Sequence, residues 1–128
     1  MEFKNLMPNL MVKDVGKTVD FYKNILGFNV LTTVPENEPF VFAIVNSSNV
    51  TISFQEEKSI KDEYAQFNEF TSGGGFTLYI NVDNVNELLE KVTGKAKIAK
   101  EMHKTFYGST DFAIEDCNGY ILTFSQAG

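Results

Sequence analysis

The sequence contains no arginine and no tryptophan, and only one cysteine, one histidine and three prolines in 128 residues. Without arginine, the guanidinium fork that clamps phosphates and carboxylates in bidentate fashion is missing from any ligand site. All eleven bases are lysines, set against seventeen acids, for a net charge of −6. That balance offers nucleic acid no basic face, so no nucleic-acid partner is expected. The lone Cys117 cannot close an internal disulfide, which fits a reducing cytoplasm. Long apolar runs are missing too. The longest, Phe40 to Val45, is about six residues against the roughly 20 that cross a bilayer, so no membrane partner is expected either. The opening Met1-Glu2-Phe3-Lys4-Asn5 is mixed and polar and predicts no export signal.

What remains is ordinary globular material, 43% hydrophobic and 22% charged, of a length that suits one domain. Its most informative feature is an internal repeat at a shift of 70 positions. Leu10 to Val15 falls on Ile80 to Val85, and Phe42-Ala43-Ile44 falls on Phe112-Ala113-Ile114. Ile52 then meets Leu122, and Phe54 meets Phe124, with no gap required in that register.

Each half reads in the same order. Leu6 to Val12 alternates as a strand, and Asp14 can cap a helix from Val15 to Leu26 with Gly27 just past its end. Strands follow at Phe28 to Val34, Phe40 to Val45 and Val50 to Gln55, the last two joined by an Asn46-Ser47-Ser48-Asn49 turn. In the second half, Phe76 to Val82 is a strand and Asn84 with Glu87 forms a capping box for a helix ended by Gly94. Lys97 to Met102 is a short strand, and Thr110 to Glu115 with Tyr120 to Ser125 makes a hairpin around Asn118-Gly119. The order βαβββ appears twice. Between the halves, Ser59 begins a helical pattern, and Gly73-Gly74-Gly75 predicts a hinge with no ordered partner.

The domain organisation is therefore one domain over 1–128. It comprises a first module over about 1–57, a linking helix and glycine hinge over about 58–75, and a second module over about 76–128. The fold class is α+β. One module of this size is too small to cover both faces of its sheet. Two side by side form an open, cup-shaped mixed sheet with helices outside and alternate side chains lining a cleft.

Two segments resemble a known family. Pro8-Asn9-Leu10-Met11-Val12-Lys13-Asp14 followed by Thr18 to Phe28, with its Phe21-Tyr22 and Leu26-Gly27-Phe28, resembles the opening of the vicinal oxygen chelate superfamily. That group comprises glyoxalases, bleomycin resistance proteins and ring-cleaving dioxygenases. Tyr107-Gly108, Asp111 to Ile114 and Asp116 to Tyr120 are similar to its terminal hairpin, with Cys117 where proline is usual. The resemblance implies paired βαβββ modules and a homodimer. It also implies a divalent metal held by His, Gln or Glu from the first and last strands of each half, acting as a Lewis acid. Those positions fall here on Met7, Ser53, Thr77 and Thr123, none of them a credible ligand. A slip of two adds only Asn9 and Gln55. No metal or other cofactor is therefore expected.

His103 is the single imidazole, and as a general base it would need an orienting carboxylate, with Glu101 two residues away. Cys117 lies in a turn with no sequence sign of an activating base. The run Glu56-Glu57-Lys58 reads as a solvated strand end. The leading expectation is a metal-free protein that binds a small amphipathic or cationic aromatic ligand, as bleomycin resistance proteins do. The ligand would be held by Met7, Asn9, Phe54, Phe70, Tyr79, His103, Phe106 and Tyr107, with no catalytic residue. One alternative is a lyase, isomerase or dioxygenase using metal or His103. The other is a scaffold dimer whose cleft is filled by its own phenylalanines.

Overall fold

Asp14 opens the first helix. In the computed structural model, which describes residues 1–128, its Oδ1 accepts the Lys17 amide at 3.0 Å, and α1 runs Val15–Asn24. Val15, Thr18, Val19 and Tyr22 form its buried face. Beyond it, the Gly27 amide reaches the Lys23 carbonyl at 3.1 Å and the Phe28 amide reaches the Tyr22 carbonyl at 3.0 Å. This closure needs a left-handed residue, and Gly27 supplies it at φ 79°. Helix α3, Val85–Val92, repeats the device, with Asn84 Oδ1 accepting the Glu87 amide at 3.0 Å. Between them, in chain order, α2 spans Glu57–Glu63. None of the helices is long and apolar enough to cross a membrane.

The strands are β1 (Asn9–Val12), β2 (Asn29–Val34), β3 (Phe42–Ser47) and β4 (Val50–Glu56), then β5 (Thr77–Asn81), β6 (Lys97–Lys104), β7 (Thr110–Glu115) and β8 (Ile121–Gln126). Strand β1 is shorter than Leu6 to Val12 because Pro8 has no amide hydrogen for a ladder; its carbonyl still accepts the Ser53 amide at 3.0 Å. The fold is α+β with βαβββ twice. Sheet order is β1-β4-β3-β2 in one module and β5-β8-β7-β6 in the other. Each sheet is mixed, parallel at β1/β4 and β5/β8, and no ladder bond joins the two sheets.

The repeat holds, but not without a gap. Leu10 pairs with Phe54, and Ile80 with Phe124, as a shift of 70 requires. Ala43, however, lies opposite Phe54, while Phe112 rather than Ala113 lies opposite Phe124. On β3 and β7 the equivalence is therefore 69. The cause is the connecting loop. Asn46 pairs with Thr51 across four residues, whereas their counterparts Glu115 and Ile121 pair across five. A slip of one residue reverses every side chain, so the matching Phe-Ala-Ile triplets point to opposite faces. Ala43 and Phe112 enter the core, and Phe42 becomes the counterpart of Asp111 on the outward face.

Both modules share one core of eighteen buried residues, including Tyr22, Phe28 and Phe54 from the first and Phe112, Leu122 and Phe124 from the second. Polar bonds cross the same boundary. The Tyr22 hydroxyl donates to Asp116 Oδ2 at 2.7 Å, and the Tyr120 hydroxyl donates to the Met11 carbonyl at 2.6 Å. The linking segment departs from expectation at three points. Helix α2 begins at Glu57 instead of Ser59. Glu57 is no solvated strand end: its carboxylate accepts the Ser72 hydroxyl at 2.6 Å and amide at 3.1 Å, bonds that hold it below the usual carboxylate range. The glycine run is not a free hinge at Gly73, where a Cβ would collide with the Asn118 carbonyl oxygen.

Candidate functional site

The outward faces of the two sheets carry equivalent positions in different chemistry. Asn9, Ser53, Gln55 and Phe42 on the first correspond to Tyr79, Thr123, Ser125 and Asp111 on the second. Met7 corresponds to Thr77. Strand alternation turns all of these away from α1 and α3.

On the first face they line a cavity of about 440 Å³. Its polar floor is Asn9, Ser53 and Gln55. The Ser53 hydroxyl donates to Asn9 Oδ1 at 2.9 Å, and Asn9 Nδ2 donates to Gln55 Oε1 at 2.9 Å. Gln55 Nε2 donates in turn to Ser59 Oγ at 2.9 Å and Glu63 Oε1 at 3.0 Å. Met7, Val34, Phe42 and Tyr64 form the apolar walls. Glu63 and Tyr64 arrive from the end of α2, where Tyr64 leaves the helix in an extended conformation. That turn separates Tyr64 from the helical face of Ile60: Ile60 is buried, while Tyr64 packs on Phe67 at 6.0 Å and stays half exposed.

The second face centres on Asp111. Ser109 Oγ donates to its Oδ1 at 2.8 Å, and the Tyr79 hydroxyl lies 3.2 Å from its Oδ2 and 2.9 Å from Ser125 Oγ. Burial raises its pKa, but the bonds from Ser125, Ser109 and Tyr79, with the nearby His103, outweigh burial and hold the carboxyl below its ordinary value. The Tyr107 hydroxyl sits 3.2 Å from that of Tyr79; this bond, with some desolvation, raises the Tyr107 phenol. Thr77 and Thr123 bond each other at 2.7 Å.

The expected ligand residues thus divide. Met7 and Asn9 meet in the first cavity, and Tyr79 and Tyr107 meet on the second face. His103 pairs in register with Asp111, but its Nδ1 contacts the Glu101 backbone carbonyl at 2.8 Å, so Glu101 offers no orienting carboxylate. Phe54 is not a cleft residue. It is fully buried, with its ring 4.8 Å from Tyr22, because it shares the parity of Ile52 and faces the helices. Phe70 stands on the linking segment against Phe67, 6.1 Å away, and Phe106 is fully exposed at the β6–β7 tip beside Tyr107. Sequence reasoning missed Glu63, Tyr64 and Asp111 as site residues. Asp111 carried a signal, a lone acid inside an alternating strand; Glu63 carried none. Desolvation and the Asp116 charge push the Cys117 thiol up, which disfavours the thiolate that a nucleophile needs.

The four family ligand positions do not fit a divalent metal. Met7 is a thioether, and the hydroxyls of Ser53, Thr77 and Thr123 are committed to side-chain neighbours. No group of three or more His, Cys, Asp or Glu side chains gathers anywhere to hold an ion.

Comparison with known proteins agrees with this architecture. Residues 6–124 match the family model of the Glyoxalase/Bleomycin resistance protein/Dioxygenase superfamily. The mitochondrial methylmalonyl-CoA epimerase of Homo sapiens is 28% identical over 124 residues, spanning 92% of this chain and 70% of that protein. Among solved structures, TioX from Micromonospora sp. ML1 aligns with a TM-score of 0.78 at 16% identity, covering 98% of this chain and 100% of its own. A glyoxalase/bleomycin resistance protein/dioxygenase family enzyme from Burkholderia phytofirmans PsJN aligns with a TM-score of 0.77 at 22% identity, covering 95% and 97%. At these identities the structural matches speak for the fold.

Proposed function

Since this chain belongs to the Glyoxalase/Bleomycin resistance protein/Dioxygenase superfamily, we propose that it is a metal-free small-molecule-binding protein of the bleomycin-resistance type. It holds an amphipathic or cationic aromatic ligand on its outward sheet faces, and it works as a homodimer in the cytoplasm. Family membership alone leaves the activity open, because one scaffold carries many chemistries. The observation that carries the reading is the state of the four ligand positions, where a thioether and three hydroxyls, Ser53 bonded to Asn9 and Thr77 to Thr123, replace metal donors.

Further features support it. Met7, Tyr64, Tyr79 and Tyr107 keep between 41% and 59% of their surface exposed, leaving apolar area beside a few polar groups, which is the composition of a ligand site. The charge of −6 favours a cation over an anion. Strands β1 and β5 each end a sheet with an unpaired edge, which a second copy can cover. The unpaired Cys117 suits a reducing compartment.

A melting-temperature screen with bleomycin and ethidium, run with and without EDTA, tests the reading. Ligand at 100 times its dissociation constant adds about 2.7 kcal/mol, and the rise should survive the chelator. Stoichiometric zinc, nickel, manganese or iron in the purified protein, or a melting temperature that answers metals and not organic cations, would overturn it in favour of an enzyme.

A further inference from the structure

The polar floor of the first cavity has a direction. A carboxylate can only accept hydrogen bonds, so Gln55 must turn its Nε2 toward Glu63 Oε1, 3.0 Å away. Its Oε1 then faces Asn9, which must present Nδ2 at 2.9 Å. Asn9 Oδ1 is left for Ser53, whose hydroxyl takes it at 2.9 Å in preference to the Pro8 carbonyl at 3.3 Å. One charged group orders both amides, each of which turns an N–H along the series that ends on it.

The consequence is a cavity with an acceptor at its open end. The second Nε2 proton of Gln55 goes to Ser59 Oγ at 2.9 Å. Gln55 therefore has no donor left for a ligand. Glu63 Oε2 makes no bond within the protein, while Oε1 is held in place by Gln55. No lysine lines the cavity, and its walls include the rings of Phe42 and Tyr64. A ligand bringing an anion would set like charge against Glu63 with nothing to neutralise it.

We infer that Glu63 is the anchor for an organic ammonium group, so that the ligand is an amine with an apolar or aromatic body and not a carboxylate or phosphate ester. This rests on the binding reading above and narrows it to one charge class. The ammonium donates to Oε2, and the apolar body lies along Met7 and the rings of Phe42 and Tyr64, whose faces also favour a cation.

Three probes of one shape separate the possibilities: 2-naphthylmethylammonium, 2-naphthalenemethanol and 2-naphthoate, titrated by NMR at low salt. The ammonium should bind at least about tenfold more tightly than the alcohol, and the naphthoate weakest. Glu63→Gln keeps an oxygen for Gln55 and should erase that advantage by weakening the ammonium far more than the alcohol. Asp62→Asn, which alters a neighbouring carboxylate paired with Lys58 at 3.0 Å on the surface, should change nothing. An ammonium advantage that persists in Glu63→Gln, or a preference for naphthoate, overturns the inference and leaves the binding reading standing. Failure of all three probes and of the bleomycin and ethidium screen overturns both.

Discussion

Tyr22→Phe removes one oxygen from the centre of the molecule and should report how the two modules are held together. The Tyr22 hydroxyl donates to Asp116 Oδ2 at 2.7 Å, with both residues buried, across a separation of 94 residues. Asp116 Oδ1 separately accepts the Asn118 amide at 2.8 Å and the Tyr120 amide at 2.9 Å, which shapes the β7–β8 turn. The substitution therefore leaves the turn intact and strips only the bond between modules. A buried hydrogen bond to a charged acceptor contributes about 1.5–3 kcal/mol, against about 0.5–1.5 for a neutral one.

The loss should depend on pH, and its sign follows from the protonation of Asp116. Burial raises the Asp116 carboxyl above its ordinary value, while the bonds from Tyr22 and the Asn118 and Tyr120 amides pull it down. Deleting the Tyr22 bond raises it further. A carboxyl that is harder to ionise in the folded state than in the unfolded one loses stability as pH rises through its folded value. Tyr22→Phe should accordingly cost about 2 kcal/mol at pH 8, where the acceptor is charged, and less at pH 4, as the carboxyl begins to take up its proton. In a chain of this length, 2 kcal/mol lowers the melting temperature by roughly 8 °C. Urea unfolding at the two pH values measures it, and a double-mutant cycle with Asp116→Asn isolates the pair. A cost below about 0.5 kcal/mol at both, or one larger at pH 4, refutes the reasoning.

Phe54→Ala should destabilise by about 3–5 kcal/mol in urea, since its ring fills the core and not a ligand cleft; a small loss of stability with a large loss of ligand binding would return it to the site. Gly73→Ala should cost more than about 1 kcal/mol, because φ is 103° and the Asn118 carbonyl occupies the Cβ position, whereas Gly74→Ala, with open space around it, should be neutral or slightly stabilising. Asp111→Asn should destabilise at pH 6. Because the carboxyl is held below the ordinary carboxylate value, the difference from wild type should shrink as pH falls through the acid range and Asp111 takes up its proton, in unfolding followed by circular dichroism.

The fold was legible because it is local and repeated. Asp14, Gly27, Asn84 and Gly94 mark the helix ends, and Leu10 and Phe54 keep their counterparts at Ile80 and Phe124, so element order and sheet edges follow from pattern alone. The register of β7 was not legible. Identical Phe-Ala-Ile triplets argued for a gapless match, and only the five-residue span between Glu115 and Ile121 shows that one of them is turned over. That reversal shapes the site, since a buried Asp111 stands on the second sheet where the first carries Phe42, so one face centres on a carboxylate of its own strand and the other sets an aromatic ring beside its polar floor. Phe54 differs in kind: its parity with the buried Ile52 is legible in the sequence and puts it in the core, whereas aromatic character alone does not say which face a strand residue takes. Glu63 lay beyond any sequence rule, because its role depends on α2 stopping one residue later and on Gln55 lying within 3.0 Å. A face built by alternation can be read from a strand, whereas a charge delivered to that face by a helix end requires the packing.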